Sequence, residues 1–288
     1  MTQPSDFSFI HSLRVRWVEV DAQQVVFNGH YLMYLDTAMG EFWRASGLPY
    51  PEAFAFVQGD VFVRSNSLQY HAPARLDDRL DIGVRCERMG NSSITMSWAA
   101  WAQGRLLVTG EAVYVFTSLA TGKSAPVPDS VRAQLQAHAQ GLPAHVLRRG
   151  AWTDLAEGAR AVRTAVFIRE QAIDESEEWD LDDAGAIHVV ASNLAGLPLA
   201  TGRLIYLGQP AGHAKVGRMA VLRCSRGIGL GEQVLQALMQ QARERQISHL
   251  SLHAQVSAQA FYARHGFAPV GEVFDEVGIP HQLMALTL

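Results

Sequence analysis

The sequence predicts two domains in tandem, an α+β half built of strands and one long helix, followed by an α/β half. Three observations carry this reading. The first half holds a strand, a long apolar-periodic helix and then a meander of strands; a stretch rich in Gly, Lys, Ser and Pro begins at Thr121; and the second half holds an apolar strand that runs through a glycine turn into an amphipathic helix. At 288 residues the chain exceeds one typical domain. The linker falls at Gly141-Leu-Pro143, giving domains 1–140 and 145–288.

In chain order, residues 13–20 alternate as a strand does. Leu32, Leu35, Met39, Phe42 and Trp43 then recur at three- and four-residue spacing, which predicts a helix from about Asn28 that Gly47 and Pro49 stop. Ile94, Met96 and Trp98 face one way and Thr95, Ser97 and Ala99 the other, and Gly90-Asn91 marks the reversal before them. Residues 106–117 form a long strand, and a short helix follows from Pro128 to about His138. The second half reads strand, helices, strands, the glycine helix, strand, helix, strand. Its clearest strands are 216–221 and 249–253.

Composition narrows the function. A hydrophobic fraction of 48% supplies two cores, and a net charge of −4 leaves no basic footprint for nucleic acid. Cys86 and Cys224 make neither a disulfide framework nor a metal-ligand spacing, so no metal is expected and a reducing, cytoplasmic setting is. Residues 1–10 lack the pattern of a secretion signal. No apolar run approaches the ~18 residues of a membrane helix, so no membrane partner is expected either.

The most informative motif is Arg226-Gly-Ile-Gly-Leu-Gly231. Glycines let backbone approach a phosphate, and the free N–H groups and dipole of the helix start complement its charge. No Lys-Ser/Thr follows the last glycine, as it would in a nucleotide-hydrolysing loop, and no acid about 20 residues on ends a second strand, as in a dinucleotide fold. Coenzyme A is the remaining common ligand. Some thirty residues later comes Ala260-Phe-Tyr-Ala-Arg-His-Gly-Phe267. Together these stretches resemble the Gcn5-related N-acetyltransferase (GNAT) family, which implies a mixed sheet flanked by helices and direct attack by an amine on acetyl-CoA. The resemblance places the backbone of Met219, Ala220 and Val221 along the pantetheine arm and thioester. It places Arg226, Gly227, Ile228, Gly229, Gly231 and Glu232 around the pyrophosphate, chiefly through N–H groups. It gives Tyr262 the protonation of the departing thiolate; the alternative is a core aromatic beside Phe261 and Phe267. Gln255 stands where the family commonly has asparagine. Glu170, Glu178 and Asp180 offer a base for the amine, with a solvated face as the commoner reading of such an acidic run; His281 has the chemistry of a base near neutral pH, with a structural histidine as the commoner reading. His249 and His253 read as packing residues without an acidic partner.

In the first half, Arg16-Trp-Val-Glu-Val-Asp-Ala-Gln-Gln-Val-Val-Phe-Asn-Gly-His-Tyr-Leu32 places Asp21 between the first strand and the long helix. Glu19, Asp21, Asn28 and Tyr31 fit the pattern of hotdog-fold acyl-CoA thioesterases of the 4-hydroxybenzoyl-CoA thioesterase type. The likeness continues through residues 76–80, 90–93 and 121–128. It implies an antiparallel sheet around the long helix, with Asp21 as nucleophile or base and N–H groups at Asn28, Gly29 and His30 holding the thioester carbonyl. The alternative for Asp21 is a turn cap. Gln23-Gln24 replaces the family's glycine-containing turn, and Glu41 is an alternative acid. The resemblance also implies a homodimer or tetramer. The combined expectation is a bifunctional enzyme acting on acyl-CoA and acetyl-CoA, with an amine acceptor that the sequence does not name. The alternative is that one half only binds, dimerises or regulates.

Overall fold

The protein is described by a computed structural model covering residues 2–288, which divides into two compact units. One runs to His145 and includes Asn193–Ala195; the other comprises Val146–Ser192 and Gly196–Leu288.

In the first unit, β1 (Phe9–Arg14) precedes helix α1 (His30–Ala45) and the short α2 (Glu52–Phe56). Strands β2 (Gly59–Tyr70), β3 (Arg79–Met89), β4 (Ser93–Ala102) and β5 (Arg105–Ser118) follow, then α3 (Asp129–Ala139). Among the described residues they form a five-stranded antiparallel sheet in the order β1-β3-β4-β5-β2. Helix α1 buries Tyr31, Tyr34, Leu35, Ala38, Met39, Phe42 and Trp43, a stripe at helical spacing, and packs against β1 and β3. The stripe runs through Tyr31 and Tyr34. Leu32, expected on it, is 37% exposed. Trp98 and Trp101 of β4 are almost wholly buried, as are Ala99 and Ala100, so the second half of β4 is covered on both faces and departs from the expected alternation.

The expected strand over residues 13–20 is corrected. Pairing of β1 with β3 ends at Arg14↔Arg79, and Trp17–Glu19 forms one tight helical turn. Its cause is Glu19, which folds back to accept from the Arg16 N–H at 2.7 Å and the Arg16 Nε at 2.7 Å. Asp21 therefore lies in a separate turn, seven residues beyond the strand.

The second unit contains, apart from the end residues His145 and Asn193, β6 (His145–Ala151), α4 (Trp152–Arg163), α5 (Glu175–Glu178), β7 (Ile187–Asn193), β8 (Pro198–Leu207), β9 (His213–Val221), α6 (Leu230–Glu244), β10 (His249–Gln255), α7 (Gln259–Arg264), β11 (Ala268–Glu276) and β12 (Ile279–Thr287). The sheet order among the described residues is β11-β12-β10-β9-β8-β7-β6, with β9 and β10 parallel, so the sheet is mixed. Helices α4 and α6 pack on β8. Where one final strand was expected there is a hairpin, β11–β12, turned at Val277 (φ 52°) and Gly278 (φ 77°).

Two local features open this sheet. Between Thr201↔Ala220 and Arg203↔Gly217 the register slips, so β9 carries an extra residue, and Arg218 sits at φ 50° in the resulting bulge. Parallel pairing of β9 with β10 covers only His249↔His213 to Ser251↔Lys215. Beyond it the strands part, and the backbone of β9 from Gly217 onward loses its β10 neighbour.

Candidate active sites

The parting of β9 and β10 creates two clefts. The larger, about 880 Å³, is lined by Met219, Ala220 and Val221, by Arg226, Gly227, Gly229, Leu230, Gly231 and Glu232, and by Phe261 and Tyr262. Of the positions expected to contact coenzyme A, only Ile228 does not line it. Gly227 and Gly229 both hold φ 85°, a conformation that favours glycine, and Gly229 is the residue from which α6 starts. The first-turn N–H groups of a helix have no partner within it, and here they open onto the cleft. A Cβ on Gly227 would meet nothing within 4 Å, which marks open space above the turn where an anionic group can approach. The residues thus fit a pyrophosphate. The Arg226 side chain points elsewhere. Its guanidinium makes a two-pronged pair with Glu170 at 2.7 Å and its Nε donates to the Val221 carbonyl at 3.1 Å. Glu170 stands on the π-helical turn that continues α4, and the hydrogen bond from Arg226 holds its carboxyl below the usual range. Arg226 braces the turn.

The second cleft, about 360 Å³, is also lined by Tyr262. Met219, Gln171, Gln255, Ala258 and Tyr262 line both. Gln255 donates to Gln171 at 2.9 Å, so this amide pair is part of the partition. Tyr262 is 8% exposed, set edge-on to Phe261 and Phe267, and burial pushes its hydroxyl up to about 12. Both readings of this residue are thereby present together, a packed ring whose position borders both clefts.

The acidic run on the wall of the second cleft is not a solvated face. Glu178 and Asp183 are buried and meet the buried Arg163: Glu178 pairs with its Nε, and Asp183 accepts from its Nη1 at 2.8 Å. Asp180 accepts from Arg203 at 2.6 Å, and Arg218 reaches both Glu178 and Asp180. Trp179 and Trp152 flank the Arg163 guanidinium at 4.6 and 5.6 Å. Burial pushes the Glu178 carboxyl up despite these cations. Burial also acts upward on Asp180, but the hydrogen bonds and charge of Arg203 override it and leave Asp180 lowered. Sequence reading missed the arginines because they are spread over α4, β8 and β9 and no local spacing joins them. It also missed the partner of His253, since Glu276 accepts from its Nδ1 at 2.8 Å. His281 lines this cleft too, with its Nδ1 donating to the Ile279 carbonyl at 2.8 Å.

In the first unit, the Asp21 carboxylate accepts from the Gln23 N–H at 2.8 Å, its carbonyl accepts from Gln24 at 2.9 Å, and Gln24 takes φ 60°. Gln23-Gln24 thus makes the tight turn without glycine. Asp21 lines a cleft of about 740 Å³ with Trp17, Val18 and Arg75. Asn28, Gly29 and His30 are not among the residues that line it. The His30 N–H donates to the Phe27 carbonyl at 2.9 Å and closes the first turn, whereas the Asn28 and Gly29 N–H groups donate to no backbone carbonyl among the described residues. Asn28 is anchored through its carbonyl, which accepts from Tyr70 Oη at 3.1 Å. Tyr31 accepts from the Ala74 N–H at 3.0 Å. Glu19 is buried. Burial acts to raise its carboxyl, but hydrogen bonds from the Arg16 N–H, Tyr34 Oη and the Arg16 guanidinium hold it below the usual range. Glu41 pairs with Arg44 on the same helix. No cluster of three metal-ligating side chains occurs among the described residues, and no described helix is long and apolar enough to cross a membrane.

Comparison with known proteins matches each half separately. The family model for the thioesterase superfamily covers residues 23–109, and that for an acetyltransferase (GNAT) domain covers residues 161–288. An acyl-CoA thioester hydrolase of Escherichia coli O6:H1 is 30% identical over 129 residues, 43% of this chain and 92% of the relative. A protein of Bacillus subtilis (strain 168), whose name marks its acetyltransferase activity as inferred, is 34% identical over 126 residues, 43% of this chain and 83% of the relative. The chain belongs to both families. Its thioesterase-superfamily half is the hotdog unit, and its GNAT half is the mixed-sheet unit. An uncharacterized N-acetyltransferase of Bacillus subtilis (strain 168) also matches the GNAT half, at 33% identity over 124 residues, 43% of this chain and 86% of the relative.

Proposed function

We propose that the chain is a bifunctional coenzyme A-dependent enzyme. The GNAT half transfers an acetyl group from acetyl-CoA to an amine, and the hotdog half hydrolyses an acyl-CoA thioester. The observation that carries the first activity is the pair of clefts meeting at Tyr262. The glycine turn receives the pyrophosphate, the edge of β9 at Met219–Val221 that β10 leaves uncovered, its Val221 carbonyl already accepting from Arg226, offers hydrogen bonds to the pantetheine arm, and the thioester reaches the partition. The amine enters from the second cleft. Holding both reactants there lowers the barrier by up to roughly 7–11 kcal/mol in ideal cases, and the Tyr262 hydroxyl receives the leaving sulfur.

In the hotdog half, Asp21 acts as nucleophile or base, and the Asn28 and Gly29 N–H groups bind the thioester carbonyl. The cleft beside Asp21 is open and shares no lining residue with Asn28–His30, which suits a site completed in a homodimer or tetramer. Strand β2 is an edge strand whose Phe62, Val63 and Tyr70 are at least half exposed, and an open edge suits such an assembly. Two free cysteines and coenzyme A substrates suit the cytoplasm. A second reading, in which the hotdog half binds acyl-CoA or dimerises without hydrolysing, is favoured by the Asx turn that already uses the Asp21 carboxylate.

Screening the full chain against an acyl-CoA panel, with free thiol as the readout, tests the hydrolase. Asp21→Asn should remove most turnover and leave the melting temperature nearly unchanged, since the amide still accepts from Gln23. Wild-type hydrolysis by this variant, or no hydrolysis by the native chain, leaves the binding-module reading.

A further inference from the structure

His253 and Glu276 take no part in the steps described so far. His253 lies on β10 two residues beyond Ser251, where pairing with β9 ends, and it lines the smaller cleft. Glu276 closes β11 at the hairpin, and the sheet order β11-β12-β10 brings it back to the same cleft. Nδ1 of His253 and Oε2 of Glu276 are 2.8 Å apart, with side chains 32% and 40% exposed. Burial acts to raise the Glu276 carboxyl, but the hydrogen bond and charge of His253, with the charges of His281 and Lys215, hold it below the usual range.

An ionised carboxylate can only accept, so Nδ1 carries the proton and, in the neutral ring, Nε2 keeps its lone pair. Nε2 makes no hydrogen bond to another described residue. The edge-on contact with Phe274, 4.9 Å between centroids at 79°, fixes the plane of the ring. A carboxylate that sets the tautomer, an aromatic that sets the ring and a basic nitrogen left uncommitted form the second and third members of a relay that lacks only its proton donor.

We propose that His253 is the general base of the acetyl transfer and that Glu276 is its positioning residue. The inference rests on the transferase reading. As the amine nitrogen bonds to the acetyl carbon, its N–H proton passes to Nε2 of His253. The C–S bond then breaks, its electron pair goes to sulfur, and the sulfur is stabilised from the Tyr262 side and leaves as the thiol with a proton from solvent. The imidazolium, held by the Glu276 carboxylate, returns its proton to solvent, so one amine and one thioester give one amide and one thiol. Amines with a neutral form accessible at the base are the fitting acceptors.

The test uses the full chain, acetyl-CoA and a panel of methylamine, phenethylamine, spermidine and lysine methyl ester, with the acetylated product read by mass spectrometry so that any thioester hydrolysis does not register. With the best acceptor, His253→Ala should lose at least ~100-fold in kcat, bind acetyl-CoA within twofold of the native chain by calorimetry, and regain at least tenfold on added imidazole. His253→Gln, which keeps more of the side-chain volume, should lose as much. Glu276→Gln keeps an acceptor for Nδ1 but not the charge, and should lose about tenfold without rescue by imidazole. His253→Ala or His253→Gln turning over within tenfold of the native chain, or imidazole rescuing His281→Ala and not His253→Ala, overturns the assignment while leaving the transferase reading intact. Acetylation of no amine by the native chain overturns both.

Discussion

Replacing Tyr262 by Phe removes one hydroxyl and keeps a ring that Phe261 and Phe267 hold edge-on, at 5.0 and 6.0 Å between centroids. The size of the effect follows from where that ring is buried. Burial raises the hydroxyl to about 12, whereas an ordinary thiol ionises near ~8.5. Complete transfer of the tyrosine proton to a departing thiolate is therefore uphill by roughly 3.5 pK units, about 5 kcal/mol. On the proposed transferase mechanism Tyr262 would instead donate a hydrogen bond to charged sulfur, an interaction worth ~1.5–3 kcal/mol. That corresponds to a ~10- to 150-fold fall in kcat, towards the lower end of what general acids supply. Acetyl-CoA affinity should hardly change, because the bond strengthens only as charge develops. The hydroxyl also stays protonated below about pH 11, so it gives the rate profile no alkaline limb. Single-turnover measurement of acetylated amine, with calorimetry for acetyl-CoA, provides the check. A loss beyond ~10³-fold with binding intact would mean that the proton does transfer, refuting the argument from burial. Unchanged turnover with chemistry rate-limiting would leave Tyr262 a packing residue.

Two further outcomes are expected. Arg163→Met strands Glu178 and Asp183, buried at 2% and 4% exposure, with only Arg218 and Arg203 to answer them; breaking a buried pair costs ~3–5 kcal/mol, so scanning calorimetry should show the second unit melting ~10 °C or more lower, and a shift under about 2 °C would contradict this magnitude. His138, His145 and His188 are all pushed below their ordinary value of 6.5 by burial. The unfolded chain therefore takes up their protons first, and the stability they contribute above pH 6.5 is lost as pH falls through the lower folded values; melting temperatures flat between pH 7 and 5 would refute it.

The parts of the fold legible in the sequence are those in which one element carries its own signal. Tyr31 to Trp43 share a helix face because three- and four-residue spacings bring them there, whatever else the chain does. Gly227 and Gly229 declare a left-handed turn because few other residues take φ 85° cheaply. The end of β1 is misplaced by sequence reading for the same reason: alternation over 13–20 is a local pattern, and what breaks it is a side chain, Glu19, reaching back to its own turn and taking Tyr34 from the helix as a further donor. The leading leucine of α1 is misassigned because two tyrosines, each with a polar end to satisfy, displace it from the buried stripe.

The candidate site divides along the same line. The wall proposed for coenzyme A comes mostly from one stretch, Met219 to Glu232, and can be read directly, whereas the wall proposed for the acceptor is assembled from β8, β9, β10, β11, β12 and the segment after α4. His253 and Glu276 meet only because β12 lies between their strands, with Leu283 paired to His253 and Ile279 paired to Glu276. The sequence holds one clue to that meeting, Gly278, whose N–H donates to the Asp275 carboxylate at 3.0 Å and makes residues 275–279 a hairpin turn. Once that turn is recognised, the strand after it must return alongside β11, and the pairing of that strand with β10 then carries the acid just before the turn to the cleft. Chemistry that depends on two strands adjoining a third is legible only through the turn that orders them, which is why the histidine–glutamate pair emerges from the sheet and the phosphate cradle from the sequence.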